Sequence, residues 1–165
     1  MGSGHTIKSI QRIPADLETV WAFFSNPDNL LTITPPFLNM KVISAPYEGE
    51  IHEGQIISYK VKPIFGMSVL WMTKIKQVER FSFFIDEQLR GPYKLWHHEH
   101  YFKEIEDGVE MTDLIHYRVP FGGLGKIVEK IIVRDQLKKI FMYRYDKVQV
   151  LFGKWKDDEM DLRIE

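Results

Sequence analysis

Two histidines that are one residue apart, His98 and His100, carry the most evident chemistry in this sequence. They lie in a segment in which Trp96 and Phe102 occupy the next alternate positions. Alternate side chains of a β-strand share a face, and we assign this face to the interior because an aromatic ring stands at each end of the set. A buried imidazole can transfer a proton, bind a metal ion or hydrogen-bond to a ligand.

The flanking segments bring carboxylates to the same predicted wall. Asp113 alternates with apolar residues in the segment that follows, and Asp86 alternates with Phe84 and Gln88 in the segment that precedes. Burying such groups costs several kcal/mol unless they have partners, so the cluster needs an explanation. The full set of expected ligand-binding residues is Trp71, Thr73, Phe84, Asp86, Gln88, Trp96, His98, His100, Phe102, Asp113, Tyr117 and Phe141.

Three explanations of this cluster are open from the residues alone. His–Asp and Gln–Tyr hydrogen bonds can satisfy one another in a polar network that lines a ligand cavity. His98 and His100 can bind a metal ion together with Asp113 or Asp86. A histidine oriented by Asp113 can instead transfer a proton to a substrate, which makes His98, His100 and Asp113 the candidate catalytic residues. We adopt the first explanation and therefore assign no metal ion and no cofactor.

Composition limits the classes of function. The chain has 165 residues, no cysteine and a formal net charge of −1, with 44% hydrophobic and 27% charged residues. These values are typical of a soluble globular protein, and they exclude disulfides, thiolate nucleophiles and zinc–thiolate sites. A near-neutral net charge argues against a surface built to bind nucleic acid. Neither a membrane-spanning apolar run nor a secretion signal is evident, so we expect a cytoplasmic protein.

Hydrophobic periodicity predicts a strand, two short helices, six further strands and a long C-terminal helix. The predicted strands are Thr6–Ile13, Met40–Ala45, Gln55–Val61, Ser68–Val78, Ser82–Leu89, Lys94–Glu104 and Val109–Val119. The predicted helices are one that begins at Ala15, one over Asp28–Ile33, and one over Leu124–Phe152 with a kink near Val133–Gln136. Residues 1–165 are expected to form a single domain with a core over 6–153 and an acidic tail over 154–165, which we expect to be frayed over Asp157–Glu165.

This order of elements predicts an α+β fold in which a strongly curved, seven-stranded antiparallel sheet wraps around the C-terminal helix. That helix is the only predicted element long enough to cover the apolar face of such a sheet. Phe, Tyr and Trp make up 13% of the chain, and rings of this size need a large core or a cavity to line. We therefore expect a hollow between the sheet and the helix.

The element order and several local motifs resemble the helix-grip fold of the SRPBCC superfamily, which contains START domains, the birch pollen allergen and polyketide cyclases. Taken together, the motifs are similar to a bacterial subgroup of ligand-binding members, and they extend over nearly the whole chain. The motifs that carry the resemblance are Ile13–Ala15, Val20–Pro27, Leu31–Pro36, Phe84–Gln88, Gly91–Tyr93, Trp96–Phe102, Thr112–Asp113 with Tyr117 and Pro120, and Gly122–Gly125.

The resemblance implies two functions. The first is to bind or carry a hydrophobic or amphipathic small molecule, lipid-like or polyketide-like, in an internal cavity between the sheet and the C-terminal helix. The alternative is an enzyme similar to polyketide cyclases or dehydratases, which would use the His, Asp and Tyr side chains of the same cavity for acid–base chemistry without a redox cofactor. Fold alone does not decide between them, because one fold supports many functions.

The remaining expectations concern groups that face solvent. A basic stripe on the predicted C-terminal helix indicates a solvated face or, alternatively, transient contact with an anionic membrane, and consists of Lys126, Lys130, Arg134 and Lys138. No stacking platform accompanies it, so we expect no nucleic acid partner. Apolar residues in the loops Pro46–Gly54 and Pro63–Met67 are candidates for a gate to the cavity. His97 and His116 alternate outward and are expected to meet water.

Overall fold

The computed structural model describes residues 4–44, 49–63, 67–120, 132–156 and 159–165. Within these residues the fold is α+β and is built on one open, antiparallel sheet of eight strands. The strands are β1 His5–Ile13, β2 Lys41–Val42, β3 Ile56–Val61, β4 Val69–Glu79, β5 Phe83–Arg90, β6 Leu95–Ile105, β7 Gly108–Arg118 and β8 Asp161–Ile164. Their spatial order is β2-β3-β4-β5-β6-β7-β1-β8, so strands β2 to β7 form a meander and β1 joins it beside β7.

The helical segments lie between β1 and β2 and after β7. They are the α-helix α1, Leu17–Phe24, the 3₁₀ helices Pro27–Ile33 and Pro36–Leu38, and the α-helix α2, Arg134–Phe152. Asp16 caps α1 by accepting a 2.8 Å hydrogen bond from the backbone N–H of Thr19. Asn26 caps the first 3₁₀ helix, and Pro27 occupies its first turn, where a missing N–H leaves no helical hydrogen bond unmade.

The expected elements are present, with differences in number and type. The sheet has eight strands in the described residues where seven were predicted. The predicted strand Met40–Ala45 has strand geometry at Lys41–Val42, and Ala45 lies outside the described residues. The predicted second helix has 3₁₀ geometry, and a second 3₁₀ turn at Pro36–Leu38 makes three short helical segments in place of two. Prolines at 27, 35 and 36 restrict this stretch to short pieces, which is the usual context of 3₁₀ turns.

The end of the acidic tail is paired to the sheet, and the expectation that the tail is frayed was wrong over Asp161–Ile164. Residues Asp161–Ile164 form β8, which pairs with β1 so that Ile164 lies opposite Ile7. Leu162 and Ile164 are partly buried and pack against the hydrophobic cluster around Trp96 and Tyr117. Apolar burial and backbone pairing therefore outweigh the acidic composition of this segment.

The C-terminal helix is described from Arg134 to Phe152, and the residues that face the sheet recur at helical spacing. Its buried residues are Leu137, Phe141, Tyr145 and Val148. Backbone of the π-helical type occupies 132–133, where the kink was predicted, and the remainder of the predicted helix, residues 124–131, lies outside the described residues. No helix in the described part of the chain is long and apolar enough to cross a membrane.

The basic stripe is only partly described, because Lys126 and Lys130 lie outside the described residues. Arg134 is partly buried and donates a hydrogen bond to the backbone carbonyl of Ile164, so one member of the stripe has a structural partner in β8. Lys138 is exposed. Contact with an anionic membrane through this stripe stays a prediction.

The core lies on one face of the sheet, beneath the helices. Alternation along β6 buries Trp96, His98, His100 and Phe102, and alternation along β7 buries Val109, Met111, Asp113, Ile115 and Tyr117. α2 contacts β1, β8 and the first 3₁₀ helix. Polar residues predicted to face inward are thus buried with the apolar core, in the region that α2 covers.

Candidate functional site

A partly open cavity of about 180 Å³ lies between the sheet, the first 3₁₀ helix and α2. Strands β3 to β6 supply one wall, and α2 supplies the facing wall with Leu137, Ile140 and Phe141. Most of the lining side chains are apolar, whereas the ionisable ones come mainly from β5, β6 and α2. An apolar hollow with a few ionisable groups in its wall is the usual form of a small-molecule site.

Three aromatic rings, those of Trp71, Tyr93 and Trp96, form a contiguous patch of the cavity lining. The Trp71 and Trp96 rings meet edge to face with centroids 5.3 Å apart, and the Tyr93 ring lies 4.7 Å from that of Trp96. Burial raises the pKa of the Tyr93 hydroxyl, so this group stays neutral. The indole N–H of Trp71 is buried and has no hydrogen-bond partner among the described residues, so this donor is unsatisfied.

Strand register brings four ionisable side chains together beside this patch. Asp86 on β5 lies directly opposite His98 on β6, and His100 on β6 lies directly opposite Asp113 on β7. Because the four occupy alternate positions, all of them project from the same face of the sheet. The two imidazole rings lie 3.7 Å apart between the two carboxylates. We call these four residues the His–Asp cluster.

Each imidazole of the cluster lies close to both carboxylates. Nε2 of His98 is hydrogen-bonded to Oδ1 of Asp113 at 2.9 Å, and Nε2 of His100 to Oδ2 of Asp86 at 3.1 Å. Nδ1 of His98 lies 3.8 Å from Oδ2 of Asp86. Nδ1 of His100 lies 2.8 Å from Oδ1 of Asp113, but not in the direction of a ring N–H bond, so it has no aligned partner among the described residues.

Arg144 joins the cluster from the helix side. It projects from α2, and its Nη2 lies 3.4 Å from Oδ1 of Asp113. Its side chain is 12% exposed, and its guanidinium lies over the ring of Phe24 at 5.4 Å from the centroid. The same oxygen of Asp113 therefore faces two imidazoles and one guanidinium, which together compensate its negative charge.

Burial and neighbouring charges shift the pKa values of the cluster members in different directions. Burial lowers the pKa of His98 to about 4, and the adjacent His100 reinforces this effect. Burial also disfavours charge on His100, but contacts with Asp113 and Asp86 outweigh it and raise the pKa of this imidazole. Burial opposes charge on Asp113 as well, but Arg144 and both imidazoles hold the pKa of that carboxyl well below its ordinary range. At neutral pH, His98 is neutral and Asp113 is ionised.

The structure divides the expected ligand-binding residues into two groups. Those that line the cavity are Trp71, Thr73, Phe84, Asp86, Trp96, His98, His100 and Phe141. Those that do not line it are Gln88, Phe102, Asp113 and Tyr117. The ring of Phe102 packs against Trp21 with centroids 5.4 Å apart, and Tyr117 is fully buried beside Trp96. Asp113 contacts the imidazoles and Arg144 rather than the hollow, so its role is to hold them.

Gln88 is a structural residue of the turn between β5 and β6. Its side-chain amide donates a 2.7 Å hydrogen bond to the carbonyl of Tyr93, and its Oε1 accepts a longer one from the Tyr93 N–H. A Cβ atom at Gly91 would lie 2.1 Å from the Oε1 of Gln88, so the glycine leaves space for this arrangement. Gln88 thereby positions Tyr93 in the cavity lining instead of contacting the hollow itself.

Several residues that line the cavity were not in the predicted set, and Tyr93 and Arg144 are two of them. Tyr93 follows Gly91 and Pro92, and the aromatic ring after this turn was a usable signal. Arg144 gave no such signal, because a basic residue on a helix is usually solvated. Its contact with Asp113 depends on how α2 is rotated over the sheet, and helical spacing alone does not give that rotation.

The outward histidines differ in their surroundings. His116 is exposed, as predicted. His97 is not simply in water, because its ring nitrogens lie 2.9 Å from Glu87 and 3.1 Å from Glu99, and its side chain is 25% exposed. Of the two candidate gate loops, residues 45–48 and 64–66 lie outside the described residues, and Met67 is exposed.

Several solved structures have a similar fold, although their sequences are only distantly similar to this one. Protein CV1439 from Chromobacterium violaceum matches with a TM-score of 0.67 at 11% identity, over 91% of this chain and 98% of that one. Protein Ms6760 from Mycobacterium smegmatis matches with a TM-score of 0.62 at 14% identity, over 88% and 89% of the two chains. Ara h 8.0201 matches with a TM-score of 0.56 at 11% identity, over 90% of this chain and 99% of that one.

These likenesses show the fold alone, and the fold is consistent with the helix-grip architecture that the sequence motifs resemble. No protein-family model matches the sequence, and no curated protein matches it either. Function therefore has to be argued from the cavity and from the residues in its wall.

Proposed function

We propose that the protein binds a small, mainly apolar molecule with one polar group in the cavity between the sheet and α2. The observation that carries this proposal is the cavity itself, about 180 Å³ in volume and lined by aliphatic and aromatic side chains. Protein interiors are otherwise close-packed, with few voids larger than a water molecule. Leaving such a volume unfilled costs stability, and that cost is understandable if a ligand fills it.

The cavity volume favours a ligand of one or two rings over a full-length lipid. An apolar cavity of about 150 Å³ accepts a benzene-sized molecule, and sites for larger ligands measure roughly 300–1,000 Å³. At about 180 Å³ the cavity is close to the lower of these values. Among the lipid-like and polyketide-like ligands expected from the sequence, this volume favours the smallest ring-containing members.

The polar groups of the wall support a ligand that carries an oxygen. The buried N–H of Trp71 needs an acceptor, and Arg144 and His100 also line the hollow. A hydroxyl or carbonyl oxygen directed at one of these groups would orient the molecule, while its rings would lie against Trp96 and Phe141. Carrier and receptor roles both fit such binding.

The geometry gives less support to the enzyme alternative. A general base needs a ring nitrogen that is free to reach the substrate. All four imidazole nitrogens of the His–Asp cluster lie within 3.8 Å of a carboxylate oxygen of Asp86 or Asp113. Nε2 of each imidazole is thus engaged within the cluster, as in a structural polar network, whereas neither Nδ1 makes an aligned hydrogen bond to the described residues, and we keep ligand binding as the proposal.

Fluorescence titration with 2-naphthol tests the proposal, because this two-ring molecule carries one hydroxyl group and can be excited beyond the tryptophan absorption band. We expect saturable binding of one molecule per chain. The variant Ile140→Phe adds a ring to a side chain of α2 that lines the cavity, and this ring would occupy part of the hollow. It should weaken binding by at least about tenfold, as steric exclusion from an apolar pocket does.

Leu151→Phe is the matched control. It makes a similar addition on the same helix, at a position that is 44% exposed and outside the cavity lining, and it should keep the wild-type affinity. Circular dichroism establishes that both variants are folded. Absence of saturable binding to the wild type, or equal weakening by both substitutions, would contradict the proposal. Native mass spectrometry of gently purified protein provides an independent count of bound small molecules.

A further inference from the structure

We propose that Asp86, His98 and His100 form a binding site for a divalent transition-metal ion in the cavity wall, and that Asp113 orients the two imidazoles behind it. This inference goes beyond ligand binding and revises the sequence expectation of no metal ion. It rests on the positions of donor atoms in the His–Asp cluster. It needs no assumption about the organic ligand.

Three donor atoms converge on one side of the cluster. Oδ2 of Asp86 lies 3.1 Å from Nε2 of His100 and 3.8 Å from Nδ1 of His98, and the three residues each offer a ligand atom within 4.8 Å of the others. Ligand atoms bound to a zinc-sized ion at about 2.0–2.1 Å are roughly 2.9–3.4 Å from one another. Small side-chain rotations therefore suffice to enclose an ion. The sequence left Asp86 and Asp113 as equal candidates for the third ligand, and the geometry selects Asp86.

The remaining nitrogens of the same imidazoles lie beside a second carboxylate. Nε2 of His98 and Nδ1 of His100 lie 2.9 Å and 2.8 Å from Oδ1 of Asp113. In metal sites, a ligating histidine usually gives its other N–H to a carboxylate, which fixes the tautomer and the ring orientation. Here one carboxylate serves both rings, and rotation of the His100 ring would align its presently unaligned Nδ1 contact. A structural network alone does not require this separation of donor atoms into two sets.

The site has space for further metal ligands, and the charge of the orienting carboxylate is compensated. All three proposed ligands line the cavity, so the hollow supplies the coordination positions that they leave open. Arg144 lies 3.4 Å from Asp113 and offsets the charge of that carboxylate, so Asp86 remains as the anionic ligand for the cation. Two imidazoles and one carboxylate suit Zn²⁺, Fe²⁺ or Co²⁺, whereas Mg²⁺ and Ca²⁺ prefer oxygen ligands.

Calorimetric titration of the chelator-treated protein with ZnCl₂, followed by CoCl₂ with visible absorption, tests this site. We expect one ion per chain and a Co²⁺ spectrum typical of mixed nitrogen and oxygen coordination. Asp86→Asn and His98→Gln should abolish saturable binding, because each removes a proposed ligand. Asp113→Asn should weaken it by about 10- to 100-fold, the usual effect of losing an orienting carboxylate.

His97→Gln is the matched control, since His97 lies on the same strand but on the opposite face, between Glu87 and Glu99. It should leave Zn²⁺ affinity unchanged. The proposal is overturned if the wild type binds no stoichiometric Zn²⁺ or Co²⁺, if both ligand variants retain wild-type affinity, or if His97→Gln removes the binding. Should a ligand variant fail to fold, the wild-type Co²⁺ spectrum still decides, because coordination by oxygen alone would contradict the site.

Discussion

Asp113 shows how a buried charge is retained in this protein. Its Oδ1 lies within 2.8–3.4 Å of His98, His100 and Arg144, and the carboxylate itself is 5% exposed. The imidazoles come from the neighbouring strand, so strand alternation made their proximity to Asp113 predictable. Arg144 comes from α2, and its contact sets the charge balance of the whole cluster. Loss of this one guanidinium should therefore lower the free energy of unfolding.

The variant Arg144→Met tests that inference. Methionine keeps most of the apolar volume but leaves Asp113 without its permanent cation, and breaking a buried ion pair typically costs about 3–5 kcal/mol. We expect the free energy of unfolding in urea at neutral pH to fall by an amount near the lower end of this range, because His100 remains as a partner. Equilibrium denaturation followed by circular dichroism measures the change.

Lys139→Met provides the comparison on the same helix. Lys139 and Asp135 form an ion pair in which both side chains are more than half exposed, 63% and 59%. Such surface pairs contribute about 0–1 kcal/mol, so this substitution should change stability little. Equal effects of the two substitutions would show that Arg144 does not compensate a buried charge.

The strands of the sheet differ in how well the sequence predicts them. β7 alternates between buried and less buried residues over its eleven residues, and β6 does so from Leu95 to Lys103. β8 has only four residues, and an acidic stretch precedes it. The alternating apolar residues Met160, Leu162 and Ile164 are the sequence pattern that indicates a strand here. So short a segment forms a strand only because it can pair with the edge of β1.

Leu162→Ser tests whether β8 is a genuine part of the fold. Leu162 is partly buried against the cluster around Trp96, so its replacement should lower the free energy of unfolding by roughly 1–2 kcal/mol. Arg163→Ser, on the alternate face of the same strand, should have an effect below about 0.5 kcal/mol. If the tail were frayed, the two variants would have the same stability in thermal or urea unfolding.

At the scale of the whole molecule, the fold class followed from the order of elements, but the size of the cavity did not. Residues such as Trp71, Trp96 and His98 could be assigned to an inward face from alternation alone. Whether their side chains fill the space or leave a hollow depends on the distance between α2 and the sheet. That distance results from the packing of Leu137, Phe141 and many other side chains, and no short motif encodes it.

The cavity is also where the two proposals meet. The organic ligand would lie against the aromatic patch of Trp71, Tyr93 and Trp96, and the metal ion would lie beside it in the His–Asp cluster. Ile140 and the aromatic patch lie outside the proposed set of metal ligands, so Ile140→Phe and Asp86→Asn test the two proposals separately. One cavity of the protein would thus hold an organic ligand against its aromatic side chains and a metal ion at its ionisable side chains.

Anomalous diffraction from crystals grown with 6-bromo-2-naphthol tests the central claim most directly, because bromine marks the position of the ligand without ambiguity. We predict one strong bromine peak per chain inside the hollow, in contact with side chains of the sheet and of α2. A bromine peak confined to the molecular surface, or an interior with no space between α2 and the sheet, would contradict the account.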